Sequence, residues 1–151
     1  MSKDDSDAEI LEFAISKEVE AYYFYLAVAR RVENLQIREL LENLAVEELG
    51  HKERLELEMI KSGRTVTAKQ RPLRPDSDYI LSDSDAPLDM EGKDVLLLGI
   101  EKEEASFRMY VNFVASVRQE QSQDLLLALA EEEVKHKIRF EAAYDELLRE
   151  S

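Results

Sequence analysis

A chain of 151 residues with 34 acidic and 20 basic side chains carries a formal charge of −14, which repels phosphate backbones and argues against nucleic-acid binding. The lack of cysteine excludes disulfides, thiolate metal sites, catalytic thiols and rubredoxin-type iron within these residues, so any metal is held by oxygen and nitrogen. Only four glycines and three prolines, among abundant Glu, Leu, Ala, Lys and Arg, favour an all-α domain large enough to bury a core.

The polar, acidic stretch from Met1 to Asp7 is not a basic-then-apolar leader, and no apolar run approaches a membrane span; the expectation is a soluble cytoplasmic protein without membrane contact. Ser6 and Glu9 have capping-box spacing, and the periodicity that follows predicts a first helix over about 8–33, with Asn34 placed to end it in a left-handed conformation. A second helix is expected over about 36–62, ended by Gly63. Pro72, Pro75 and Pro87 all fall between 63 and 91, so that stretch reads as a long connection. The basic residues Lys61, Arg64, Lys69, Arg71 and Arg74 gather around its start without any nucleic-acid motif. Third and fourth helices are expected over about 93–117 and 122–148, giving a single domain over 1–151. A connection that long suits two antiparallel hairpins joined by a crossover along a four-helix bundle.

Set against itself at an offset of 85 residues, the chain superposes Glu18 on Glu103, Tyr25 on Tyr110, Glu48 on Glu133, His51 on His136 and Arg54 on Arg139 without a gap. Two hairpins so related would pack with approximate twofold symmetry and set equivalent side chains opposite one another. Spacings of three and four residues trace an inward seam on each helix, and ionisable residues interrupt every seam. Glu18 lies between Ala14 and Ala21, Glu48 and His51 between Leu44 and Leu55, Glu103 between Gly99 and Ser106, and Glu133 and His136 between Leu129 and Phe140. Residues equidistant from a hairpin turn share one level, and the midpoints of Glu18 with Glu48 and of Glu103 with Glu133 fall at 33 and 118, in or beside the expected turns. The four carboxylates are therefore expected in one layer, each Glu-x-x-His pair on one helical face.

Burying one unpaired ion costs several kcal/mol, against a whole-domain stability of only about 5–15 kcal/mol. Four bare carboxylates in a core are untenable, whereas two divalent cations neutralise them and use both imidazoles as ligands. The candidate metal ligands are Glu18, Glu48, His51, Glu103, Glu133 and His136. Oxygen and imidazole donors suit iron or manganese and also accept zinc or cobalt.

The runs Glu18-Val-Glu-Ala21-Tyr-Tyr-Phe-Tyr25, Glu48-Leu-Gly-His51, Glu103-Glu-Ala-Ser106 with Tyr110, and Glu133-Val-Lys-His136 resemble the rubrerythrins, within the ferritin-like di-iron carboxylate proteins. The resemblance implies a ferritin-like four-helix bundle with two iron ions. It also implies that Glu48 and Glu133 bridge the ions, that Glu18 and Glu103 are terminal ligands, and that His51 and His136 each complete one ion. Tyr25 and Tyr110 would donate to ligand carboxylates. The chain departs from the family where a further helix-three Glu is replaced by Ser106, and in having no rubredoxin domain, so electrons would come from an external donor protein. The implied activity is reduction of hydrogen peroxide by a homodimer. Ferroxidase or iron-handling chemistry with oxygen, and a metal-stabilised interaction module without catalysis, are the alternatives. Glu47 and Glu132 read either as acceptors of the outer ring hydrogen of the histidine on the opposite helix or as solvated charges.

Overall fold

The computed structural model describes residues 5–66 and 91–150. They form four helices: α1 (Ser6–Ala29), α2 (Leu35–Lys61), α3 (Gly92–Ser116) and α4 (Glu120–Glu150). Among the described residues, no helix is long and apolar enough to cross a membrane.

The helix ends correct two local expectations. Asp5, not Ser6, caps α1, its carboxylate accepting from Ala8 N at 3.3 Å. The Arg64 guanidinium fixes that carboxylate, with Nη2 at 2.8 Å and Nε at 3.1 Å from Oδ1. Asn34 does not end α1 in a left-handed turn. It is extended (φ −64°, ψ 116°) and caps α2 by accepting from Ile37 N at 3.1 Å. Gly63 takes the left-handed conformation expected of it, at φ 84°. There the N–H of Gly63 bonds Ile60 O and that of Arg64 bonds Met59 O, a Schellman ending that turns Arg64 back toward Asp5.

Two apolar clusters occupy opposite ends of the bundle. One joins Tyr25, Val28 and Val32 with Ile37, Leu41, Val95, Leu96 and Phe140. The other joins Leu11, Ala14 and Ile15 with Leu55, Met59, Tyr110, Leu126 and Leu129. The late part of α1 thus lies beside the early parts of α2 and α3 and the late part of α4, so α1 runs antiparallel to α2 and α3 and parallel to α4. Packing is dense within the α1/α2 and α3/α4 hairpins and lighter between α1 and α3 and between α2 and α4. Helix α2 ends at one end of the bundle and α3 begins at the other, the arrangement of a ferritin-like bundle. The crossover expected over 63–91 lies, from 67 to 90, outside the described residues.

Asp7, buried in the first turn of α1, ties the hairpins together across one end. Its carboxylate accepts the backbone N–H groups of Arg118 at 2.9 Å and Gln119 at 3.0 Å, orphan donors at the entry to α4. The polar layer containing Glu18, Glu48, Glu103 and Glu133 sits between the two apolar clusters.

Candidate metal centre

Each helix delivers its ionisable residues from the middle of its inward seam, so all six candidates meet in one layer and all are buried. His51 Nδ1 lies 3.1 Å from Glu48 Oε1, 3.4 Å from Glu18 Oε2 and 3.7 Å from Glu133 Oε1. His136 Nδ1 lies 3.2 Å from Glu133 Oε1, 3.5 Å from Glu103 Oε1 and 3.7 Å from Glu48 Oε1. Glu48 and Glu133 therefore face both histidines, Glu18 faces His51 and Glu103 faces His136. The two imidazoles are parallel, 5.5 Å apart with 2° between their planes.

The inward-facing atoms lack protein hydrogen bonds. Glu18 Oε1, both oxygens of Glu48, Glu103 Oε1, Glu133 Oε1 and Nδ1 of both histidines are buried without a hydrogen-bond partner. Native interiors hold few such atoms, and a convergent set of this kind could hold a ligand supplying positive charge. Among the described residues, donor atoms of Glu48, His51, Glu133 and His136 lie within 4.8 Å of one another and could hold a metal ion.

The electrostatics show the same demand. Burial, reinforced by the Glu18 charge, pushes the Glu48 and Glu133 carboxyls well above the usual carboxylate range. Burial works against protonation of His136, but Glu103 and Glu133 overcome it and raise His136 to about 10. Burial also works against ionisation of Glu103, which His136 and the Tyr25 hydroxyl nevertheless hold below its ordinary value. Without a cation, protons on Glu48, Glu133 and His136 would offset most of the layer's negative charge.

The tyrosines cross between hairpins. Tyr25 on α1 donates to Glu103 Oε2 on α3 at 2.6 Å, and Tyr110 on α3 donates to Glu18 Oε2 on α1. On Glu103 the phenol holds Oε2 and leaves Oε1 facing His136, whereas on Glu18 it holds Oε2, the oxygen that also lies 3.4 Å from His51. Burial first, then the surrounding carboxylates, raise both phenols well above their ordinary value, so both remain donors.

The expected pair of outer acceptors is realised once. Glu47 Oε1 lies 2.9 Å from His136 Nε2, while Glu132 pairs with Lys135 at 3.6 Å. Glu47 Oε2 is in turn held by Arg139 Nη1 at 2.8 Å. Sequence reasoning missed Arg139; its position one turn after His136 was the available signal. Ser106 and Ala21 line a groove of about 510 Å³ between α1 and α3, together with Lys17, Lys102 and Met109.

Comparison with known proteins bears on the family resemblance and on the fold. The rubrerythrin family model matches residues 9–79. No protein with a curated description matches the chain significantly. A hypothetical protein from Pyrococcus furiosus, 24% identical, superposes with a TM-score of 0.68 over 93% of this chain and 89% of its own, a likeness of fold. The rubrerythrin model thus matches the first hairpin, and the four-helix bundle shares the ferritin-like fold.

Proposed function

We propose that the protein is a di-iron oxidoreductase that reduces hydrogen peroxide with electrons from a separate donor protein. The observation that carries this reading is the set of buried, unpartnered carboxylate and imidazole atoms converging between His51 and His136. Glu48 and Glu133, facing both histidines, would bridge two ions. Glu18 and His51 would complete one ion, and Glu103 and His136 the other. Bound there, a ferrous pair supplies the two electrons that, with two protons, convert one hydrogen peroxide to two waters. The donor set suits iron and also accepts manganese or zinc.

The chain's own residues prepare that chemistry. Tyr25 and Tyr110 orient the terminal carboxylates. Glu47 accepts from His136 Nε2, leaving the Nδ1 lone pair directed into the layer. The apolar clusters above and below exclude bulk water. The groove between α1 and α3, where Ala21, Ala105 and Ser106 stand among Phe13, Lys17, Lys102 and Met109, is the approach we assign to the oxidant.

The test is stopped-flow absorption of the anaerobically reduced, iron-loaded protein mixed with hydrogen peroxide or with oxygen. Two irons per chain, oxidised by peroxide much faster than free ferrous ion, support the reading. Oxidation by oxygen alone replaces it with ferroxidase chemistry. Retention of cellular function by the double substitution Glu18→Gln and Glu103→Gln would mean a metal-stabilised interaction module.

A further inference from the structure

We infer that Glu47, braced by Arg139, is a positioning residue that makes the Glu103–His136 half of the centre the tighter metal position and leaves the Glu18–His51 half exchangeable. The inference rests on the two-metal reading above and adds an inequality that the internal repeat conceals.

In sequence the halves are matched: Glu47, His51 and Arg54 superpose on Glu132, His136 and Arg139. In space they are not. His136 Nε2 is 2.9 Å from Glu47 Oε1, and Arg139 grips the same carboxylate at 2.8 Å. Carboxylate oxygens of both Glu47 and Glu132 stand within 4.8 Å of a His136 nitrogen and of each other. Among the described residues, no hydrogen bond reaches the outer nitrogen of His51. That ring instead lines, with Glu47, Gly50, Arg54 and Glu132, a cleft of about 240 Å³ between α2 and α4. Arg139 on Glu47 and Lys135 on Glu132 already counter the outer carboxylates, so these do not form a third cation position, and only Glu47 bonds His136.

The physical consequence follows from ligand geometry. A carboxylate behind a histidine fixes its tautomer and ring orientation and raises its basicity, and losing such a partner costs about 10- to 100-fold in metal affinity. His136 has this support, and among the described residues His51 has none. A first ion therefore settles at Glu103–His136, and the second, at Glu18–His51, is the one that comes and goes.

The experiment is an anaerobic titration of the metal-free protein with cobalt(II), followed by the visible ligand-field bands and by calorimetry. Two resolved steps are expected, the first about 10- to 100-fold tighter. His51→Ala should retain the tight step and His136→Ala should lose it. Glu47→Ala should merge the steps, Glu132→Ala should leave them separate, and Glu47→Gln, which keeps an acceptor oxygen, should give an intermediate separation. Helical circular dichroism of each metal-free variant checks folding, and the Gln variant decides the matter if the Ala variant does not fold. One step of two equivalent ions in the wild type, or equal effects at Glu47 and Glu132, overturns the inequality while sparing the two-metal reading. A wild type that binds no cobalt overturns both.

Discussion

Tyr25 and Glu103 belong to different hairpins, 78 residues apart, yet the phenol of one meets the carboxylate of the other at 2.6 Å inside the core. Tyr110 and Glu18 repeat the contact in the opposite sense. Side chains on a helix lean toward its N-terminus, so each tyrosine, two turns beyond its own helix's glutamate, reaches back toward the polar layer. Because α1 and α3 are antiparallel, the two phenols close the layer from opposite ends.

Tyr25→Phe should therefore remove one hydrogen bond to a buried charged group and leave packing intact. A loss of about 1.5–3 kcal/mol is expected, with a weaker hold on the ion nearest Glu103. Tyr110→Phe should act on the ion nearest Glu18. Urea unfolding with and without cobalt(II) measures both effects. Unchanged stability together with unchanged cobalt affinity would show the tyrosines to be packing alone.

The carboxylates divide by how many histidines they face, and their substitutions should divide the same way. Glu48→Ala or Glu133→Ala should weaken both ions, whereas Glu18→Ala or Glu103→Ala should chiefly weaken one. In the metal-free protein Glu133→Gln should stabilise the fold, because a neutral amide replaces a group that burial and neighbouring charge already disfavour as an anion. Metal content by elemental analysis, beside metal-free melting curves, separates the two effects. A Glu18 variant that lost both ions as completely as a Glu48 variant would contradict the division.

The layer was legible in the sequence because helical periodicity and hairpin symmetry are local rules, and Glu18, Glu48, Glu103 and Glu133 obey both. What was not legible depends on partners far along the chain. Asp5 rather than Ser6 caps α1 because Arg64, 59 residues away, holds it. Val32 is buried in the turn and so extends the apolar pattern of α1 past its true end at Ala29. Asp7 bonds the entry to α4 across more than a hundred residues. The inequality of Glu47 and Glu132 depends on side-chain conformations that a matched repeat cannot distinguish.

Gly99 and Gly50 offer paired tests of packing. A Cβ at Gly99 would lie 2.5 Å from the Phe140 ring, whereas one at Gly50 meets nothing within 4 Å. Overpacking typically costs about 1–3 kcal/mol, while Ala gains up to about 1 kcal/mol over Gly in a helix. Gly99→Ala should accordingly destabilise, and Gly50→Ala should stabilise by about 0.5–1 kcal/mol. Phe140 also packs on Tyr25, with ring centroids 5.8 Å apart, so Gly99→Ala should disturb the Glu103 side of the centre as well. Thermal melts and cobalt titration report the two consequences, and a Gly99→Ala protein more stable than wild type would refute the close packing.

The protons held by the layer fix the pH response of the metal-free protein. Glu48 and Glu133, raised first by burial and then by the charge on Glu18, stay protonated at pH values where the unfolded chain has released those protons. Their unfavourable contribution is full above their folded pKa and vanishes as pH falls toward the ordinary value of 4.5. His136, raised from 6.5 to about 10, contributes stability that is full below 6.5 and lost as pH rises through about 10. Glu103, lowered, acts in the opposite sense, but only as pH falls below 4.5. The metal-free protein should thus lose stability steadily between about pH 6.5 and pH 10. Metal-loaded protein should respond oppositely in what the ions add, since protons compete for the same ligands and the gain on loading grows with pH. A chain of charge −14 also repels itself more as pH rises, so the slope alone does not isolate the layer. Glu133→Gln removes one of the titrating groups while changing the overall charge little, and should flatten the metal-free slope; a slope unchanged by that substitution would assign the pH response to the surface instead.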